Sequence, residues 1–167
     1  MAEEIVNRVA KSPLITLDLE ELYPQGERKK LDLSQWLEGG FVLKEKDFRA
    51  ALKEVDFSIY KDAYVALYCA TDALLPAWAS LLVTTYLQPY AKKIIWGSLQ
   101  ELEMALFQEV IDQLPVESYK DKPIIIKGCA DKAIPTTAFI SLVEKLQPVV
   151  KSLMYGEACS SVPLYKK

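Results

Sequence analysis

The feature that most constrains this chain is a pattern written twice, first from Tyr64 to Gly97 and again from Ile124 to Gly156. In each copy a short apolar run ends in Cys-Ala, an aspartate follows, and a proline stands four positions after the aspartate. A helical stretch then closes on Leu-Gln-Pro, and a second apolar run ends in aromatic-Gly. The copies read Cys69-Ala70, Asp72, Pro76, Leu87-Gln88-Pro89, Trp96-Gly97 and Cys129-Ala130, Asp131, Pro135, Leu146-Gln147-Pro148, Tyr155-Gly156. Pro76 and Pro135 are 59 positions apart and the two cysteines 60, so one residue is inserted between Cys and Asp in the first copy.

Apolar runs alternating with helical stretches predict an α/β protein: a mainly parallel sheet with helices on both faces, built on an internally duplicated strand-helix-strand unit. The 167 residues, 51% of them apolar, suit one single-core domain spanning 1–167. Within it, residues 1–60 read as a small N-terminal α+β addition, 61–114 as the first unit with its linking helix, and 115–167 as the second unit with a tail.

In the addition, Ile5, Val6 and Val9 recur at helical spacing within Glu3 to Ala10, a short amphipathic docking helix that Pro13 stops. Leu14, Ile15, Leu17 and Leu19 alternate with Thr16 and Asp18 as a strand, and Tyr23-Pro24-Gln25-Gly26 turns the chain. Arg28 to Leu33 is expected to return as its antiparallel partner. Ser34 is placed to cap a short helix bearing Trp36 and Leu37 that Gly39-Gly40 ends. Phe48, Ala51, Leu52 and Val55 mark Glu45 to Val55 as an amphipathic helix.

The repeats predict strands Tyr64–Tyr68, Lys93–Trp96, Ile124–Lys127 and Leu153–Tyr155, with helices Pro76–Leu87 and Pro135–Leu146. The linking helix Leu99–Leu114 carries its apolar stripe on Leu99, Leu102, Leu106, Val110 and Leu114, with Glu101, Glu103, Gln108, Glu109 and Asp112 turned outward. On that assignment Glu103→Ala is expected to be nearly silent. Residues from Glu157 onward have no clear period and read as a loop.

From Ala63 to Ala91 the only charge is Asp72, a run long enough to be tested as a membrane span. The second copy has the same layout but carries Asp131, Lys132, Glu144 and Lys145, so the layout does not depend on lipid, and the first copy reads as a strand plus a buried helix. The net charge of −3, with acids and bases interspersed and no basic cluster, argues against nucleic acid. Met1-Ala2-Glu3-Glu4 lacks the basic start of a signal peptide, and three cysteines cannot all pair within one chain. The expected location is the cytoplasm.

Placing the first strands of the two units side by side gives the order second, first, third, fourth, with a topological switch point at the sheet centre, where ligands of open α/β sheets bind. That arrangement gathers Cys69, Asp72, Cys129 and Asp131 around one crevice as candidate ligand-binding residues. The plainer reading of each aspartate is a helix N-cap, and of each cysteine a small buried residue at a strand end. A thiol near a helix N-terminus is favoured as thiolate, which opens nucleophile or sulfur-carrier chemistry. The chain contains no histidine, which removes the usual base of a Cys-His nucleophile and the commonest nitrogen ligand of zinc. A metal or cluster site would draw on Cys69, Cys129 and Cys159, without the Cys-x-x-Cys knuckles of a zinc ribbon. Neither strand-helix turn carries a dinucleotide or phosphate-loop motif. No catalytic residue and no cofactor is assigned.

At Glu3-Glu4-Ile5-Val6-Asn7-Arg8-Val9-Ala10, Lys44-Glu45-Lys46-Asp47-Phe48-Arg49, Lys127-Gly128-Cys129 and Ser161-Val162-Pro163-Leu164-Tyr165-Lys166, the chain resembles a bacterial family labelled domain of unknown function 2480. The likeness covers the whole chain. That family has no assigned activity and hence no catalytic residues to carry over. The resemblance implies an association with iron–sulfur cluster assembly through gene neighbourhood. The expected function is therefore that of a non-catalytic accessory or binding protein for a protein partner or small ligand, without nucleic acid or membrane, with homo-oligomerisation open. The alternative is a thiol- or metal-dependent role in iron–sulfur or sulfur handling.

Overall fold

The computed structural model describes residues 13–128 and 131–167. The expected helix over Glu3 to Ala10 lies outside them. The chain is a mixed α/β protein with two sheets, largely parallel. It divides into two compact units, one formed by the chain up to Pro24 together with Leu106–Lys167, the other by Gln25–Ala105.

The Gln25–Ala105 unit is built on β2 (Arg28–Asp32), β3 (Tyr64–Tyr68) and β4 (Lys93–Trp96), a parallel sheet in the order β2-β3-β4. Its register sets Leu31 beside Leu67 and Leu67 beside Trp96. Leu31, Val65 and Leu67 pack in one cluster with Phe48 and Leu52 of α1 (Glu45–Glu54) and Ala79, Val83 and Leu87 of α2 (Ala77–Leu87). The spacing i, i+4 in α1 and α2 puts these side chains on one stripe each. The other face of β2 is tied to α3 (Leu99–Asp112), where Arg28 Nε and Nη2 donate to Glu103 at 2.5 and 3.1 Å.

The second unit is built on β1 (Ile15–Leu17), β5 (Pro123–Ile126), β6 (Ser152–Glu157) and β7 (Ser160–Lys166), in the order β1-β5-β6-β7. Its first three strands are parallel and β7 returns antiparallel to β6. Leu17, Ile124, Ile126 and Leu153 share a cluster with Phe107 and Ile111 of α3 and with Ala138, Leu142 and Leu146 of α4 (Thr136–Leu146).

Both repeated segments fold as strand, helix and strand, and punctuation explains their limits. Pro76 and Pro135 are the N-cap residues, at φ −63° and −61°, where a missing N–H costs nothing. Gln88 and Gln147 are the C-caps, and the prolines that follow cannot continue the helix.

Several expectations are corrected. The first strands of the two repeats, β3 and β5, belong to different sheets, so the order second, first, third, fourth does not occur. β1 and β2 do not pair with each other; β1 pairs parallel with β5 and β2 parallel with β3. Strands β3 and β5, with Val65, Ala66, Leu67 and Ile124, Ile125, Ile126 all buried, need a neighbour on each side, and the residues before Tyr64 supply one to each sheet. The tail is strand β7 rather than a loop. Ser34 lies inside the short 3-10 turn Leu33–Trp36, whose N-cap is Asp32. Helix α2 is not wholly buried, since Leu81 is 64% exposed. The buried stripe of α3 runs through Leu102, Leu106, Phe107 and Ile111, while Leu99 is exposed. Among the described residues no helix is long and apolar enough to cross a membrane.

Candidate functional site

In parallel sheets, loops at the carboxyl ends of the strands carry the ligand-binding side chains. In the Gln25–Ala105 unit that end is organised by Asp32. Its Oδ1 accepts the Ser34 N–H at 2.9 Å and the Ala70 N–H at 3.0 Å, and its Oδ2 accepts the Ser34 hydroxyl at 2.7 Å. Burial works to raise its pKa, but the Ser34 hydroxyl, the Ser34 and Ala70 N–H groups and nearby Lys30 outweigh it and hold the carboxyl below its ordinary value. Thr71 Oγ1 donates to the Gly40 carbonyl. The loop after β3 is thus held at both Ala70 and Thr71. Cys69 is half-buried, its Sγ 3.4 Å from Thr71 Oγ1. Asp72 is exposed. Beyond it, Leu74, Leu75, Pro76, Ala77, Ser80 and Trp96 line a cleft of about 340 Å³ in which Leu74 is 98% exposed.

In the second unit the corresponding end is organised by Asp18. Its Oδ1 accepts the Glu20 N–H at 2.9 Å and its Oδ2 takes Lys127 Nζ at 2.8 Å. The Lys127 hydrogen bond is the main reason that Asp18 titrates below the usual carboxylate range, and Asp18 in turn raises Lys127 above the ordinary lysine value. Glu20 Oε2 accepts the Asp131 N–H at 3.0 Å. Tyr155 packs its ring against Gly128 so closely that a Cβ there would sit 3.0 Å from it, a tight contact that the ring would have to ease. An apolar groove of about 360 Å³ is lined by Ile126, Phe139, Ile140, Val143, Tyr155 and Leu164.

Of the sequence candidates, Cys69 and Asp72 lie on the loop after β3, the side chain of Asp131 is exposed, and Cys159 sits exposed in the two-residue turn between β6 and β7. Cys129 lies outside the described residues. Neither aspartate is a helix cap, because each helix starts after the proline four positions on. The common crevice was expected from neighbouring first strands, and β3 and β5 are not neighbours. Among the described residues no three His, Cys, Asp or Glu side chains come together in a way that could hold a metal ion.

Sequence reading missed Asp18 and Asp32, although a signal was present. Leu17-Asp18-Leu19 and Leu31-Asp32-Leu33 are the same tripeptide, with all four leucines buried. Each aspartate follows or ends the strand that joins one sheet, and each accepts the N–H two residues on, the Asx-turn geometry that short acidic side chains favour.

A family model described as a protein of unknown function, DUF2480, matches residues 3–167. The chain belongs to the DUF2480 family. No curated protein and no solved structure matches it. In this DUF2480 chain the strand-end carboxylates are engaged with backbone N–H groups and with Lys127, which makes them holders of loops, while the accessible chemistry of both clefts is mostly apolar.

Proposed function

We propose that this DUF2480 chain is a non-catalytic, cytoplasmic binding protein that engages a protein partner through the apolar surface of its Gln25–Ala105 unit. One observation carries the reading. Helix α2 has no charged residue, yet it has a solvent face, on which Leu81 is 64% exposed, and the adjoining cleft adds Leu74 and Trp96, at 98% and 52%. A helix apolar on every side is ordinarily covered, and clustered exposed apolar residues mark interaction surfaces. The matching helix α4 carries Glu144 and Lys145, so the lack of charge in α2 is not a requirement of the fold.

The finer architecture belongs to this reading: two duplicated units, each a sheet with helices on both faces. It is supported by the registers Leu67↔Trp96 and Ile126↔Tyr155, and by positive φ at Asp62 and Asp121, 60° and 56°. An experimental structure in which 57–97 and 116–156 do not superpose would overturn that part. The cytoplasmic assignment requires free thiols in protein isolated from cells, and disulfide-linked material would contradict it.

The binding claim is tested by photocrosslinking from position 81 in growing cells, purification of the captured protein, and measurement of its affinity for wild type and Leu81→Asp. A loss of about tenfold or more is expected for burial of one leucine at an interface. Equal affinities would remove the α2 surface from function. Stoichiometric iron or zinc held by Cys69, Cys129 and Cys159 in protein purified without oxygen would overturn the reading in favour of thiol or metal chemistry.

A further inference from the structure

Sheets leave edges, and proteins protect edges with shortness, charge, proline or irregular pairing. The two sheets have four edge strands among the described residues. β1 is three residues long. β2 reads Arg-Lys-Lys-Leu-Asp, three consecutive bases. β7 carries Pro163, and its register shifts opposite Leu153 and Met154. The remaining edge is β4, Lys-Ile-Ile-Trp, with no proline and with Trp96 half exposed.

The other unit shows what such an edge accepts. The pairs Val65↔Ile94, Ala66↔Ile95 and Leu67↔Trp96 become Ile124↔Leu153, Ile125↔Met154 and Ile126↔Tyr155 when moved by the repeat spacing. In that second set, β6 carries β7 on its outer side, with Val162 opposite Tyr155, and Leu164 lines the apolar groove against α4. Among the described residues β4 has no such strand. After Trp96 the chain turns away at Gly97, and Ser98 and Glu101 close a capping box: the Ser98 N–H donates to Glu101 Oε2 at 2.7 Å, and the Glu101 N–H to Ser98 Oγ at 3.1 Å. The Gly97 N–H donates to the Leu67 carbonyl at 2.8 Å. Backbone groups alternate along a strand, so the N–H and C=O of Ile95 face β3, and those of Ile94 and Trp96 face outward.

We infer that the β4 edge accepts an extended segment of the partner protein as an added antiparallel strand, in the way that β6 accepts β7. The inference rests on the protein-binding reading above and supplies its mode. The segment has the chemistry of Ser160–Lys166: a β-branched residue opposite Trp96, and a second aliphatic residue reaching the cleft lined by Leu74, Pro76, Ser80 and Trp96. Main-chain hydrogen bonds to Ile94 and Trp96 hold it, and the cleft selects its side chains.

The probe is a blocked synthetic peptide, Ser-Ser-Val-Pro-Leu-Tyr-Lys, added to the full chain while amide exchange is followed by NMR. In the free chain the Ile94 and Trp96 amides should exchange faster than that of Ile95. Saturating peptide should slow both by about tenfold or more and leave Ile95 unchanged. The same peptide N-methylated at its valine and tyrosine nitrogens keeps every side chain but loses the donors that face the edge, and should bind about tenfold more weakly. Equal binding of the two peptides would overturn strand addition while leaving side-chain docking at the cleft intact. Absence of peptide binding would overturn it as well, with the Leu81→Asp measurement on the captured partner still deciding the broader reading. Protection of Ile94 and Trp96 without peptide would also overturn it, assigning the edge to a second copy if it grows with protein concentration and to the chain itself if it does not.

Discussion

Glu103 shows how a residue's role depends on what faces it. By helical period it belongs to the outward side of α3, and its loss reads as silent. In the fold it takes two hydrogen bonds from Arg28, and the two side chains are only 18% and 14% exposed. Glu103→Ala should therefore cost about 1–3 kcal/mol, the range for unmaking a charge-assisted, partly buried bond; a denaturant melt coincident with wild type would contradict this. Asp18 and Asp32 set the acid limb of stability. Both titrate below their unfolded value, so in the acid range between the folded and unfolded pKa the unfolded chain binds protons that the folded chain refuses. Their contribution is complete above the unfolded pKa and lost as pH falls through the folded one. Lys127, raised by Asp18, has the opposite sign: its contribution is present below its unfolded pKa and lost as pH rises through the folded one. Asp18→Asn should flatten the acid limb of a plot of unfolding midpoint against pH and shrink the alkaline loss, and an unchanged profile would show that the pair does not contribute. The shared tripeptide Leu-Asp-Leu is a local signal for both aspartates that the sequence reading passed over, while their partners Lys127 and Ala70, 109 and 38 positions away, have no local signal at all.

Most elements were legible because their signals are local. Strands Tyr64–Tyr68 and Lys93–Trp96 have the limits expected from their apolar runs, and α1, α2 and α4 lie within a residue of theirs. The stripe of α3 was less so. Leu99, Phe107, Val110 and Ile111 leave two overlapping apolar arcs, and period alone does not choose between them. Burial chooses Leu102, Leu106, Phe107 and Ile111. Leu106→Ala should cost about 2–5 kcal/mol, as a large-to-small change at a site 3% exposed, whereas Leu99→Ala should cost less than about 1 kcal/mol. Equal losses in urea melts would mean that the buried arc is the other one. Strand β7 was missed because proline and an irregular pairing erase the alternation by which a strand is recognised.

At the scale of the whole molecule, the two hydrophobic clusters share no residue. Leu142→Ala in one and Leu52→Ala in the other should each cost about 2–5 kcal/mol, and the double variant should lose their sum within about 0.5 kcal/mol. A double variant departing further from the sum would show the clusters to be coupled.

By itself the sequence determined the limits of most helices and strands within about two residues, β7 excepted, since proline geometry, capping and apolar period act over a few residues. It also carries one residue pattern at two places, of which only the second has charged residues in its helix. Only the tertiary structure decided which strands lie side by side. A parallel pair is joined through a crossover rather than a tight turn, so no local signal names its partner. Nothing near Ile15 or Arg28 announces that one joins Ile124 and the other Tyr64. β7 reaches β6 locally, through a two-residue turn, whereas β4 is an edge among the described residues because the chain after Trp96 enters α3 instead of returning as a strand.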